Sequence, residues 1–244
     1  MATESKWKTE RAAQAFLQGI RGAIPGANLQ FEVIGKITDL WLEKPVRALD
    51  LGCGDGVLGR FLLARYPGSA GLFLDFSEPM LKAARHATEA MEGVEVKQAD
   101  FSSPSWVGAA RPRGPFDIVI SGFAIHHQPD QRKREIYDEV YDLLCPGGVF
   151  LNLEHVASPS PASEKLFDEF FVDHLYQFHS QTKSEVKRSE VAAGYYTRED
   201  KKENILAPVE RQTSWLREIG FQDVDCFFKT FELALFGGRK PRRN

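Results

Sequence analysis

Between residues 46 and 236, short apolar runs alternate with longer stretches whose apolar residues recur every three or four positions. Val46-Arg47-Ala48-Leu49-Asp50-Leu51 predicts a strand that runs into a cluster of glycines. Residues 57–66 then carry Leu58, Phe61, Leu62 and Ala64 at helical spacing. Gly71-Leu72-Phe73-Leu74 predicts a second strand, after which Ser77 and Pro79 open a helix as cap and first-turn residue. Val94-Glu95-Val96 predicts a third strand. In Phe116-Asp117-Ile118-Val119-Ile120 the nearly continuous apolar run suits a strand buried on both faces. A helix over residues 131–144 places Ile136, Val140, Leu143 and Leu144 on one stripe and stops at Pro146-Gly147-Gly148, ahead of a fifth strand over residues 149–153. Strict alternation of strand and helix implies a parallel sheet covered on both sides, an α/β doubly wound fold.

The alternation pauses after His155. Ala157-Ser158-Pro159-Ser160-Pro161 breaks the chain, and residues 164–189 then read as one polar helical stretch studded with Phe167, Phe170, Phe171, Leu175, Tyr176 and Phe178. At helical spacing such a run reads as a packing face before it reads as an aromatic-substrate pocket. A helix over residues 209–219 ends at Gly220, and residues 223–236 hold two apolar segments that could pair as a hairpin. Residues 158–206 are therefore expected to be an insertion covering the carboxyl ends of the strands. Residues 11–41 are a second candidate helical cover, with residues 14–30 expected to supply part of it.

Composition narrows the class. The chain has 244 residues, 43% hydrophobic and 27% charged, enough to build a core without disulfide staples. Lys and Arg total 31 against 34 Asp and Glu, a formal net charge of -3, which disfavours nucleic acid as a partner. The short basic tail from Arg239 to Arg243 reads as solvated. Cys53, Cys145 and Cys226 are widely spaced, as expected of reduced intracellular thiols. Residues 1–8 lack the apolar run of a signal peptide, and no window approaches a membrane span, so the expected location is the cytoplasm.

The strongest local signal is Leu49-Asp50-Leu51-Gly52-Cys53-Gly54-Asp55-Gly56, a strand entering a helix through glycines. Such a turn lets a ligand approach the main chain and the unpaired N–H groups of a helix start. Asp75 and Asp100 close the next two predicted strands and, with Asp50, are expected around one crevice. Gly54-Asp55-Gly56-Val57-Leu58-Gly59 also fits the dinucleotide fingerprint G-x-G-x-x-G, with Asp75 near the spacing for an NAD ribose. However, a carboxylate at Asp50 would repel a pyrophosphate, whereas it could accept a hydrogen bond from a cationic ligand bearing an amino acid. Electrostatics therefore favours S-adenosylmethionine over NAD.

The glycine segment, Asp75, Asp100, Phe116-Asp117-Ile118-Val119-Ile120-Ser121 and Leu144-Cys145-Pro146-Gly147-Gly148-Val149-Phe150 together resemble, in order, the motifs of class I S-adenosylmethionine-dependent methyltransferases. The resemblance implies a Rossmann-like sheet of seven mostly parallel strands whose last hairpin places the final strand antiparallel. It also implies a division into an N-terminal helical lid (1–44), a cofactor-binding core (45–157), a helical cover (158–206), and a C-terminal helix and hairpin (207–244). It places Gly52 and Gly54, with Asp50 nearby, at the methionine part of the cofactor. Asp75 goes to the ribose, Phe76 and Met80 flank the adenine, and Asp100 and Phe101 read its edge. Ser121 and Gly122 lie near the amino-acid part. The tail over residues 195–240 further resembles the carboxy-S-adenosylmethionine synthases of tRNA wobble-uridine modification, which bind a cofactor carboxylate through an arginine close to the place of Arg198.

Methyl transfer from a sulfonium requires alignment of the acceptor and, for a hydroxyl or ammonium, a base. His126 and His127 beyond strand four, and Glu154 and His155 at the end of strand five, are the candidates for that base. Five of the six His lie in this half of the chain, but nothing resembles H-E-x-x-H, and no metal is expected. The expected reaction is in-line transfer of a methyl group to a small-molecule acceptor, with a homodimer left open. The alternatives are a cofactor-modifying synthase and a non-catalytic module that binds cofactor or RNA.

Overall fold

The structure, a computed structural model, describes residues 23–43, 46–182, 185–198 and 200–242. Seven strands form one sheet: β1 (Arg47–Leu51), β2 (Ala70–Asp75), β3 (Val94–Gln98), β4 (Phe116–Gly122), β5 (Leu144–His155), β6 (Gln222–Thr230) and β7 (Leu233–Arg239). Their order is β3-β2-β1-β4-β5-β7-β6. The first five strands are parallel, and β7 runs antiparallel to both β5 and β6. The seven-stranded, mostly parallel sheet expected from the motifs is the one observed.

Eight helices accompany the sheet among the described residues: α1 (Ala27–Trp41), α2 (Val57–Arg65), α3 (Glu78–Thr88), α4 (Trp106–Ala110), α5 (Asp130–Leu143), α6 (Pro161–Thr182), α7 (Arg188–Tyr196) and α8 (Val209–Ile219). Side chains alternate across each strand, and the strands divide their residues between two cores accordingly. Leu49, Leu51, Leu72, Leu74 and Val119 join Ile136, Tyr137 and Val140 of α5 and Trp215 and Leu216 of α8. Ala48, Phe73, Ile118, Ile120 and Leu151 face the other way, onto Ile34 and Ile37 of α1, Leu58 and Leu62 of α2, and Leu81 and Ala84 of α3. Burial of both faces explains the unbroken apolar runs.

The stretch read as one helix over residues 164–189 is two. α7 returns along α6, with Arg188 bonded to Glu169 at 2.7 Å and Asp173 at 2.6 Å, and the Tyr195 hydroxyl donating to Asp168 at 2.7 Å. A continuous rod would carry Tyr195 away from the core; the fold-back packs it with Phe167, Phe171, Val172, Leu175 and Leu233 in a third cluster. Of the N-terminal cover expected over residues 11–41, residues 11–22 lie outside the described residues. The part that is described, α1, packs on the sheet, where Trp41 meets Phe227 edge-on at 5.6 Å.

Candidate active site

The carboxyl ends of β1, β2, β4 and β5 open onto one cleft. One end is lined by Gly52, Cys53, Gly54, Asp75, Phe76, Ser77, Met80, Phe101 and Gly122. At Gly52, φ is +69° and a Cβ would stand 2.3 Å from the Cβ of Ala124, so glycine is required both by dihedral and by space. A Cβ on Gly54 would meet nothing within 4 Å, which leaves that stretch of backbone open to a ligand. Asp75 is buried, and its carboxylate accepts from Gly54 N at 2.9 Å and Ser77 N at 2.8 Å. Burial pushes its carboxyl up from the usual range, and those backbone donors oppose the rise. The glycines, the held carboxylate and the apolar Phe76, Met80 and Phe101 thus line one end of the cleft together.

Three residues expected at or near this end are not among those that line it. Asp50 is buried, and its Oδ2 accepts from Gly59 N at 2.8 Å, pinning the start of α2 behind the glycine loop. Asp100 lies two residues beyond the end of β3 and is exposed, its Oδ1 accepting from Ser102 N at 2.8 Å in a local turn. Ser121 is buried and donates to the Leu51 carbonyl at 2.7 Å, bracing β4 against β1.

The other end is walled by His126, His127, His155, Asn204 and Arg198 on its polar side, and by Ile24, Phe123, Phe167, Phe171, Tyr195 and Leu233 on its apolar side. Phe167 and Phe171 therefore both pack in the third core and line the cleft. Phe123 adopts φ +52°, a costly conformation for an aromatic residue, and its N–H is held by Leu153 O at 2.7 Å.

Glu154 does not line the cleft but lies fully buried behind it. One of its oxygens is 2.6 Å from His126 Nδ1 and accepts from His155 N at 2.9 Å, and the other accepts from His126 N at 3.0 Å. Burial pushes its carboxyl up to about 7, against His155 N–H and the charges of His127, His155 and Lys133. The His127 ring lies 3.9 Å from that of His126. Because a carbonyl only accepts, His127 Nδ1 carries the proton that it shares with Glu203 O at 3.2 Å. Burial and the neighbouring His126 push His127 down to about 4, so it is neutral near pH 7. His155 is held at both nitrogens, Nε2 by Glu232 at 2.7 Å and Nδ1 by Asn204 at 3.4 Å.

No set of three His, Cys, Asp or Glu residues able to hold a metal occurs among the described residues, and no described helix is long and apolar enough to cross a membrane. Asn204, Leu233, Phe123 and Ile24 carry no motif, and nothing in their local sequence marks them as lining residues.

Residues 49–150 match a family model described as a methyltransferase domain. Over 147 residues the chain is 35% identical to demethylmenaquinone methyltransferase of Thermus thermophilus, an alignment covering 60% of this chain and 63% of that protein. It is 26% identical over 232 residues to carboxy-S-adenosyl-L-methionine synthase of Shewanella amazonensis, covering 92% of this chain and 88% of that one. In fold it resembles an O-methyltransferase family protein from Burkholderia thailandensis, with a TM-score of 0.66, 18% identity, and coverage of 96% of this chain and 61% of that one.

Proposed function

We propose that this chain, which carries a class I S-adenosylmethionine-dependent methyltransferase domain, methylates a small, largely apolar acceptor with His126 as the general base. The observation that carries this reading is one continuous cleft, with a glycine-and-Asp75 end and a chamber walled by histidines and aromatic rings. When bound, S-adenosylmethionine supplies an electrophilic methyl group on a positively charged sulfonium. Gly52 and Gly54 would hold its amino-acid part, Asp75 its ribose, and Phe76, Met80 and Phe101 its adenine.

The chain's own work is to align the acceptor and take its proton. Phe123, Phe167, Phe171 and Tyr195 offer an apolar bed that excludes water and fixes orientation, the larger part of what such a reaction needs. When ionised, Glu154 accepts from His126 Nδ1 and so selects the tautomer with its acceptor lone pair on Nε2. A hydroxyl or amine proton would pass to that nitrogen, and the adjacent carboxylate would stabilise the imidazolium. His127 and His155, each bonded to neighbouring chain, would position the wall. Residues 158–206 would act as the cover that selects the acceptor.

A second reading is favoured by Arg198, which lines the same cleft, and by alignment with carboxy-S-adenosyl-L-methionine synthase over nearly the whole chain. In that reading the product is a carboxylated cofactor. Mass spectrometry of the small molecule released from purified protein separates the two. S-adenosylmethionine or its demethylated product supports methyl transfer, and a cofactor heavier by a carboxylate overturns it. If titration of the emptied protein with S-adenosylhomocysteine shows no binding, the cofactor assignment fails as well.

A further inference from the structure

Lys133 lies on the stripe of α5 that also carries Ile136, Tyr137 and Val140, a position where an apolar residue is expected. Its side chain is fully buried. Nζ donates to the Gln128 carbonyl at 2.6 Å, to Asp130 Oδ1 at 3.2 Å and to the Ile205 carbonyl. These three acceptors match the three protons of the ammonium. Burial pulls the Lys133 ammonium below its ordinary range, and Asp130 and the charge of Glu154 oppose that fall.

The acceptors come from two segments far apart in sequence. Gln128 closes the short turn that presents His126 and His127, whereas Ile205 belongs to the chain returning from α7. That returning segment touches each histidine of the wall. Ile205 N donates to His126 O at 3.0 Å, Glu203 O accepts from His127 Nδ1 at 3.2 Å, and Asn204 Nδ2 meets His155 Nδ1 at 3.4 Å. Lys133 thus holds, from beneath, the place where the returning chain and the histidine turn meet.

We propose that Lys133 is a positioning residue whose ammonium pins residues 203–205 to the turn carrying His126 and His127, and so sets the acceptor wall of the cleft. The pin rests on the geometry of the wall and is independent of which acceptor is methylated; its consequence for turnover rests on the reading of His126 as base. Removing it leaves the Gln128 and Ile205 carbonyls without their buried donor, and the cost falls on the two segments they belong to. The cofactor end does not depend on it. There the neighbouring Arg132 plays a separate part, its Nε donating to the Phe101 carbonyl at 2.8 Å.

The test is Lys133→Met in the full chain, compared with the parent by hydrogen–deuterium exchange with saturating S-adenosylhomocysteine. Amides of residues 124–128 and 201–207 are expected to exchange about tenfold faster, while those of β1 and β2 keep their rates. The affinity for S-adenosylhomocysteine is expected to stay within about threefold, a change worth well under 1 kcal/mol. A second signature is spectroscopic. The Glu154 carboxyl is faced by His126, His127 and His155, by Lys133, and by Tyr137. Followed by carbon-13 NMR, it should titrate higher once the Lys133 charge is gone. Unchanged exchange in both segments, an equal rise across the whole sheet, or an unmoved Glu154 titration overturns the proposal. Should Lys133→Met fail to fold, Asp130→Ala removes one acceptor of the ammonium at a half-exposed position, and the same two segments must loosen relative to β1 and β2 or the proposal falls.

Discussion

Replacing His127 with glutamine should uncover a pH dependence of stability that the native protein cancels. Glu154 rises from 4.5 to about 7, chiefly through burial. Between those values the folded protein keeps a proton that the unfolded chain has released, so this contribution is full below pH 4.5 and is lost as pH rises through 7. At about 1.4 kcal/mol for each pH unit separating the folded and unfolded titrations, the whole change is about 3 kcal/mol. His127 falls from 6.5 to about 4, again chiefly through burial. Its contribution is full above pH 6.5 and is lost as pH falls through 4, by a similar amount of about 3 kcal/mol. The two slopes oppose each other between pH 4.5 and 6.5. Glutamine retains a donor for Glu203 O but does not titrate. Measured by urea unfolding at constant ionic strength, the stability of His127→Gln minus that of the parent should therefore fall by about 3 kcal/mol from pH 4 to 6.5. Glu154→Gln minus parent should rise by about the same amount from pH 4.5 to 7. The double variant minus parent should be nearly flat where the windows overlap. Lost hydrogen bonds move each curve up or down without tilting it. Two flat difference curves, or two that tilt the same way, would refute the reasoning.

The remaining predictions concern the two ends of the cleft. Asp75→Ala removes a carboxylate placed for charge-assisted bonds worth roughly 1.5–3 kcal/mol, so calorimetry should show S-adenosylhomocysteine binding about tenfold to a hundredfold weaker. Unchanged affinity contradicts the ribose assignment. Gly52→Ala drives a Cβ to 2.3 Å from Ala124 at φ +69°. It should lower stability by about 1–3 kcal/mol and abolish cofactor binding, and a wild-type melting curve with intact binding would count against the close approach. His126→Ala should leave S-adenosylhomocysteine affinity within about threefold while slowing methyl transfer about 10²- to 10⁴-fold. A rate close to the parent's, followed with labelled S-adenosylmethionine, would remove His126 as the base.

The sheet was legible because burial on both faces writes strands as unbroken apolar runs, and because the helix stops fall at residues such as Gly220, whose φ of +115° suits glycine. The glycine loop and Asp75 were legible for the same local reason: their chemistry follows from their place at a strand end. Standing near the carboxyl end of a strand does not decide which partner a carboxylate takes. Asp50 shares the face of Ala48 and turns to α2, whereas Asp75 meets Gly54 across the loop. Asp100 resembles both in sequence but satisfies Ser102 instead. The fold-back of α7 was not legible either, since one aromatic helical stretch fits one rod as well as two. Asn204 and Leu233 reach the cleft through the return of the chain and the hairpin turn, contacts over dozens of residues that periodicity does not encode.

The place of β7 bears on how the protein can be made. β7 is the last strand among the described residues, yet it sits inside the sheet, between β5 and β6. Its hairpin turn also supplies Glu232, whose side chain holds His155 and whose carbonyl accepts from Val156 N at 2.8 Å. During synthesis, the outer edge of β5 keeps a row of unpaired backbone groups until Arg239 has left the ribosome. A nascent or prematurely terminated chain ending at Thr230 would already contain the glycine loop and Asp75, but neither Glu232 nor Leu233. It would have one half of a reaction vessel, with an adhesive strand exposed where the other wall belongs.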